Sequence, residues 1–267
     1  EFSMAFKTPV EIAKSTVEIG CAKARMPLQR MWLLGLLAGA YIAMGGYFMI
    51  VVTQDASQFA GVGISKLLGG LVFAMGLFLV VSAGAELFTG NCLLTVGVLS
   101  KKITLREMCV NLFVVYLANF FGAFIFAQLI FFSGTLSEAA AANALNIAVT
   151  KTGLPFGEMF VRGVLCNWFV CIAVWVTFGA MDMAGKFISL LMPIAAFVAM
   201  GFEHCVANMF FLPLGYFIDS AAGGGQLTVA LLFRNLIPVS IANMVGGMVL
   251  VGLIYYLAFE KELLRKN

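Results

Sequence analysis

Two six-residue stretches constrain this chain more than anything else in it: Glu86-Leu87-Phe88-Thr89-Gly90-Asn91 and Glu203-His204-Cys205-Val206-Ala207-Asn208. Each opens on a glutamate, closes on an asparagine and lies inside a long apolar run. A carboxylate at the centre of a bilayer costs on the order of 3 kcal/mol or more. It is kept only where it faces the protein interior, a partner or a water-filled path. The same arrangement met twice points to a polar route through a membrane.

The apolar runs fall at about 31–52, 67–98, 109–133, 158–180, 187–217 and 236–258. Most match the roughly 20 residues that a spanning helix needs. The second and fifth are too long for one clean helix, and each holds one of the polar stretches. Both are expected to break near mid-membrane, with the freed backbone lining a cavity. Composition excludes the alternative of a soluble domain: 62% of residues are hydrophobic and 11% charged, against about 25% charged in globular chains. A net charge of +3 without interleaved exposed aromatics excludes a nucleic-acid partner.

The halves repeat. Asn111-Leu112-Phe113-Val114-Val115-Tyr116-Leu117-Ala118-Asn119 matches Asn235-Leu236-Ile237-Pro238-Val239-Ser240-Ile241-Ala242-Asn243, with Gly122 and Gly246 at the same offset. More weakly, Gly35-Leu36-Leu37-Ala38-Gly39 parallels Gly163-Val164-Leu165-Cys166-Asn167. Three spans are an odd number, so the second copy must be inverted in the bilayer. The expected fold is an all-α polytopic membrane protein with six transmembrane helices, two of them broken, in an inverted 3+3 repeat. The repeats run over about 31–133 and 158–258 of a channel domain at 31–258.

Positive residues give the orientation. Lys7, Lys14, Lys23, Arg25 and Arg30 precede the first span. Lys101, Lys102 and Arg106 follow the second, Lys186 the fourth, and Lys261, Arg265 and Lys266 the sixth. Only Lys66, Lys151, Arg162 and Arg234 fall on the other face. The positive-inside rule makes both termini cytoplasmic. Residues 1–3 read as a cloning scar ahead of Met4 and are set aside. Residues 4–30 carry a cytoplasmic amphipathic helix over 8–25, with Thr8 as N-cap, Pro9 at the first helical position and Glu11 closing a capping box. Its apolar stripe is Val10, Ala13, Val17 and Cys21 or Ala24, and it is a candidate lid. Residues 259–267 form a cytoplasmic tail. The six scattered cysteines, with no C-x-x-C pair, read mainly as small buried apolar side chains, and neither a metal nor a cofactor is expected.

At Gly84-Ala85-Glu86-Leu87-Phe88-Thr89-Gly90-Asn91, Cys166-Asn167-Trp168-Phe169-Val170-Cys171 and Gly201-Phe202-Glu203-His204-Cys205-Val206-Ala207-Asn208-Met209 the sequence resembles the formate/nitrite transporter family. The resemblance covers essentially the whole chain from Met4. It implies an aquaporin-like protomer in a homopentamer of the bacterial inner membrane, each protomer with its own pore for a small monovalent anion. Lys66-Leu67-Leu68-Gly69-Gly70 looks most like formate channels and Cys166-Asn167-Trp168 more like nitrite channels. Hydrosulfide and lactate carriers share the core motifs.

The resemblance also implies residue roles. His204, the single histidine, corresponds to the family's central pore histidine; an imidazole can donate to an anion or pass it a proton. Thr89 and Asn167 are neutral donors at the pore, although helix-to-helix hydrogen bonding is their bland alternative. Leu87 and Phe197 are placed at one apolar constriction and Leu77 at the opposite one. Lys23 and Lys151 match vestibule lysines, where positive charge concentrates anions. Glu86, Asn91 and Glu203 are expected to support the helix breaks, the glutamates by accepting from freed backbone amides, while Asn208 supports its break and faces the pore. An intramembrane enzyme built on Cys205 and His204 is the remote rival; adjacent helical residues point about 100° apart and pair poorly.

Overall fold

A computed structural model describes residues 6–264, and every described element is helical. The expectations for residues 1–3 and for Arg265 and Lys266 lie outside that range. Helix α1 (Pro9–Ala24) starts as its sequence dictates. The Thr8 amide donates to Glu11 Oε2 at 2.7 Å, and the Glu11 amide donates back to Thr8 Oγ1 at 3.4 Å. The Thr8 amide, its hydroxyl and nearby lysines hold the Glu11 carboxyl below its ordinary range. The buried face of α1 carries Ile12, Ala13, Thr16, Val17, Gly20 and Ala24, so it is centred slightly off the expected stripe.

Two groups of helices follow. The first is α2 (Leu28–Thr53), α3 (Ala56–Ala83), the short α4 (Phe88–Asn91) and α5 (Leu94–Leu99), and α6 (Leu105–Phe132). After α7 (Glu138–Gly153) the second group is α8 (Phe156–Thr177), α9 (Met183–Ala199), α10 (Cys205–Ala221) and α11 (Val229–Val245). A π-helical stretch, Gly246–Leu253, continues α11 into α12 (Ile254–Ala258), and α13 (Glu260–Leu264) ends the described chain. Within the first group α2 packs on α3 and α6; within the second α8 packs on α9 and α11.

Five helical stretches are long and apolar enough to cross a membrane: Leu28–Thr53, Ala56–Ala83, Leu105–Phe132, Phe156–Thr177 and Val229–Ala258. The fifth apolar run of the sequence falls on the two shorter helices α9 and α10, on either side of an interruption. Helix α3 begins at Ala56 rather than near 67, kinking at Gly61, α11 begins at Val229 rather than near 236, and α7 falls between the two expected repeats, outside the apolar runs. The N-cap signal for α7 was present in Ser137, whose hydroxyl accepts from Ala140 N.

Close approach between helices falls at matching places. A Cβ on Gly122 would sit 1.9 Å from Leu36 O, and one on Gly246 would sit 2.1 Å from Val164 O. Only a residue without a side chain lets the backbones meet there.

Candidate functional site

The two interruptions are built alike. Helix α3 ends on Gly84 at φ 77° and α9 ends beside Gly201 at φ 74°, a left-handed turn that glycine adopts without steric cost. Extended chain follows, and the helix restarts at Phe88 or Cys205. At the first break the Phe88 amide donates to Asn119 Oδ1 at 2.9 Å, and Asn119 Nδ2 donates to Gly35 O and Glu86 O at 2.7 and 2.9 Å. At the second the Cys205 amide donates to Asn243 Oδ1 at 2.8 Å, and Asn243 Nδ2 donates to Gly163 O and Glu203 O at 2.7 and 2.9 Å. Two buried asparagines thus carry the backbone groups that the breaks leave without partners. Buried polar groups need such partners.

The glutamates do something else. Glu86 Oε1 accepts from Lys23 Nζ at 2.7 Å, and Glu86 Oε2 from Asn91 Nδ2 at 2.7 Å. Asn91 Nδ2 also donates to Asn111 Oδ1 at 2.8 Å, and Asn111 Nδ2 donates to Lys23 O at 3.2 Å. In the other half Glu203 accepts from Lys151 Nζ at 2.8 Å and from Asn208 Nδ2 at 2.7 Å. Asn208 Nδ2 reaches Asn235 Oδ1 at 2.7 Å, and Asn235 Nδ2 reaches Lys151 O at 3.0 Å. The expectation that Glu86 and Glu203 accept freed backbone amides is therefore corrected. Their side chains pair with lysine and asparagine, and Asn119 and Asn243 take the amides. Asn111, Asn119, Asn235 and Asn243 stand in the sequence at the ends of the repeated nine-residue segment, a signal weaker than that of the glutamates, which are costlier to bury.

Between the breaks, Thr89 Oγ1 lies 2.9 Å from His204 Nε2, both residues buried. His204 is also the N-cap of α10, its Nδ1 accepting from Ala207 N at 3.0 Å. An Nδ1 that accepts carries no proton, so the neutral ring carries its proton on Nε2 and donates it to Thr89 Oγ1. The Thr89 hydroxyl hydrogen is then free for another acceptor. Both ring nitrogens are occupied, which leaves neither to serve Cys205 as a base.

Asn167 sits behind this pair. Its Nδ2 donates to Thr89 O at 3.2 Å and to Asn243 O at 2.7 Å, which uses both amide hydrogens. Phe197 packs on the His204 ring at 6.0 Å between centroids and edge-on against Phe73. A cavity of about 370 Å³ reaches the first break, and Leu77 and Leu87 both line it, with Lys7, Lys23, Glu86 and Lys186. Residues Ile19 and Gly20 of α1 line it too. The Lys7 amide ties the segment ahead of α1 to Gly179 O at 2.9 Å. Cys92, Cys166, Cys171 and Cys205 are buried free thiols, whereas Cys109 is exposed. Among the described residues no group of His, Cys, Asp and Glu side chains has metal-site geometry.

Long apolar helices, two helix interruptions and a buried polar interior define a polytopic membrane protein. The chain belongs to the formate/nitrite transporter family, whose sequence profile matches residues 10–257. It is 41% identical over 262 residues to the uncharacterized transporter YrhG of Bacillus subtilis, covering 97% of this chain and 96% of that one. It is 38% identical over 261 residues to the formate channel BtFdhC of Bacillus thuringiensis, covering 97% and 98%. A solved pentameric formate channel with formate bound superposes with a TM-score of 0.76 at 36% identity, over 87% of this chain and 98% of that one. These relatives are transporters and channels, not enzymes.

Proposed function

We propose that this chain forms a channel for small monovalent weak-acid anions, formate first, with the pore of each protomer passing between the two helix breaks. The observation that carries the reading is the Thr89–His204 hydrogen bond of 2.9 Å, a buried donor pair among apolar side chains. An anion arriving at Thr89 meets a hydroxyl hydrogen polarised by the imidazole N–H behind it. A charge-assisted hydrogen bond of this kind replaces water without a fixed counter-charge that would trap the ion. Because Nδ1 caps α10, His204 acts by hydrogen bonding while the cap is intact. Passing a proton to the anion requires the ring to take one up again, and the cap competes for that nitrogen.

In this reading Lys23 and Lys151 stand at opposite vestibules, each neutralised by its glutamate, and Asn208 faces the pore from its network. Leu77, Leu87 and Phe197 form the apolar constrictions, which obstruct a bare charge more than a hydrogen-bonded or protonated acid. Asn167 holds Thr89 from behind instead of donating to the anion. Six crossings in an inverted 3+3 repeat, both termini cytoplasmic, account for the matched hydrogen bonds of the two halves. Homopentameric assembly is supported by the pentameric relative. Helix α1 lines the vestibule cavity, so its displacement would widen that mouth.

The test is flux into proteoliposomes under matched gradients of formate, nitrite, hydrosulfide, lactate and chloride. Weak-acid anions are expected to pass and chloride to lag, with the fastest anion replacing formate as the substrate if another wins. His204→Asn is expected to lower formate flux about tenfold, the equivalent of one hydrogen bond worth about 1.4 kcal/mol in the barrier, and to alter its pH dependence. An unchanged rate and pH profile would sink the donor-pair reading.

A further inference from the structure

We infer that Cys171 is a positioning residue for permeation: its thiol, with the Asn167 amide, clamps the Thr89 carbonyl so that the Thr89 hydroxyl meets His204. This rests on the reading of Thr89 and His204 as the donor pair of the pore.

Helix α4 has four residues, too few to satisfy its own carbonyls. In a continuing α-helix the Leu93 amide would bond Thr89 O; it turns instead to Gly90 O at 3.2 Å. Thr89 O is left to side chains. Cys171 Sγ lies 3.2 Å away and Asn167 Nδ2 also 3.2 Å away, one turn apart on the same face of α8. Both are fully buried. A thiol is a weak donor, yet 3.2 Å is short for sulfur, and the Asn167 Oδ1 that competes for the thiol is farther off at 3.7 Å.

The other half supplies the control. The residue matching Thr89 is Val206, which lies in the 17-residue helix α10, where a helical amide four residues on serves its carbonyl. The residues matching Asn167 and Cys171 on α2 are Gly39 and Ala43, which have no donor to give. Donors occur on the flanking helix only where the carbonyl needs them. The π-helical stretch backs the clamp. A Cβ on Gly247 would lie 2.5 Å from Asn167 Nδ2 and 2.7 Å from Cys171 Sγ, so the bare glycine lets that backbone abut both donors.

The experiment uses the full chain reconstituted in proteoliposomes, with formate flux measured against concentration and pH. Cys171→Ser keeps a donor and is expected to retain at least about half of the wild-type maximal flux and the same pH profile. Cys171→Ala is expected to lose about three- to tenfold in maximal flux with little change in half-saturating concentration, and to shift the pH profile. Gly247→Ala, which pushes on both donors, is expected to reproduce that loss. In a Thr89→Val background, Cys171→Ala should cost nothing further. Equal flux in the serine and alanine variants overturns the inference, as does a full extra loss in the Thr89→Val background or a wild-type profile in Gly247→Ala. If the wild-type protein carries no weak-acid anion, the channel reading falls and this inference with it; if it carries formate and only the Cys171 pattern fails, the channel reading stands.

Discussion

The first helix break, around Glu86, and the second, around Glu203, use the same scaffold for different contents. Each has an asparagine on the neighbouring long helix that accepts one backbone amide and donates to two carbonyls. Each has a lysine, a glutamate and two asparagines in one connected network. The contents diverge wherever a side chain does not serve the backbone. Leu87 stands where His204 stands in the other half, and Thr89 where Val206 does. Tyr116 and Ser240, also matched positions, touch each other at 2.9 Å, and the bulky pair Phe88 and Tyr116 answers the small pair Cys205 and Ser240. Breaking a helix in a bilayer fixes the bonds that repair it, because hydrocarbon offers no substitute for water. What remains free to differ is the residue presented between the repairs. That freedom lets one break offer a hydroxyl and the other an imidazole.

The networks also differ in single bonds. Asn235 Nδ2 reaches Glu203 Oε2 at 3.3 Å in the second, and a lysine–asparagine bond found only in the first is tested by the largest expected effect. Lys23 Nζ donates to Glu86 and also to Asn91 Oδ1 at 3.0 Å, whereas Asn208 Oδ1 has no hydrogen-bond partner among the described residues. Lys23→Met and Lys151→Met each leave a buried carboxylate unpaired, which costs about 3–5 kcal/mol. Lys23→Met also strands Asn91 Oδ1 and is expected to cost about 1 kcal/mol more. Thermal unfolding of the purified variants in detergent reads the difference. A larger loss at Lys151 would break the comparison. Adding Glu86→Gln to Lys23→Met, or Glu203→Gln to Lys151→Met, is expected to recover much of each loss.

The next effect tests the shared scaffold. Asn119→Ala and Asn243→Ala each strip partners from one buried amide and two carbonyls. At about 1–3 kcal/mol for an unsatisfied buried group, each is expected to cost about 3 kcal/mol or more, and the two should agree within about 1 kcal/mol. Clearly unequal losses, measured in the same unfolding assay, would mean that the two breaks are alike in geometry but not in energy.

Much of this was legible in the sequence, for reasons that can be named. Long apolar runs fix the membrane class because a helix needs a set length to cross hydrocarbon. The repeated segments match Asn111 with Asn235 and Asn119 with Asn243. Their function was not legible: a buried asparagine can serve a helix-to-helix contact or a backbone group, and which one depends on what lies within 3 Å. Glu86 and Glu203 lie at the breaks, but their partners are 63 and 52 residues away at Lys23 and Lys151, a separation that periodicity does not encode. Helix α7 does not stand out in the sequence, because its alanine-rich stretch is less apolar than the spanning segments. The hydrogen-bond direction at His204 depends on the Ala207 amide being free at a helix start, which only the position of the break decides.

The smallest expected effect lies where the halves meet. The Tyr116 hydroxyl and Ser240 Oγ are each other's partners across the interface, and Ser240 Oγ also donates to Leu236 O at 2.6 Å. With its hydrogen committed to Leu236, the serine accepts and the tyrosine donates. Tyr116→Phe therefore removes a donor and leaves Ser240 with its other bond, at a cost of about 0.6–1 kcal/mol, the ordinary worth of such a bond in a membrane. Ser240→Ala should cost more, because the buried Tyr116 hydroxyl then loses its acceptor. The double variant should cost less than the sum of the two single ones. Additive losses in the unfolding assay would show that the matched positions merely abut, and would leave the Phe88–Tyr116 and Cys205–Ser240 size exchange as the only tie between the two breaks at that point.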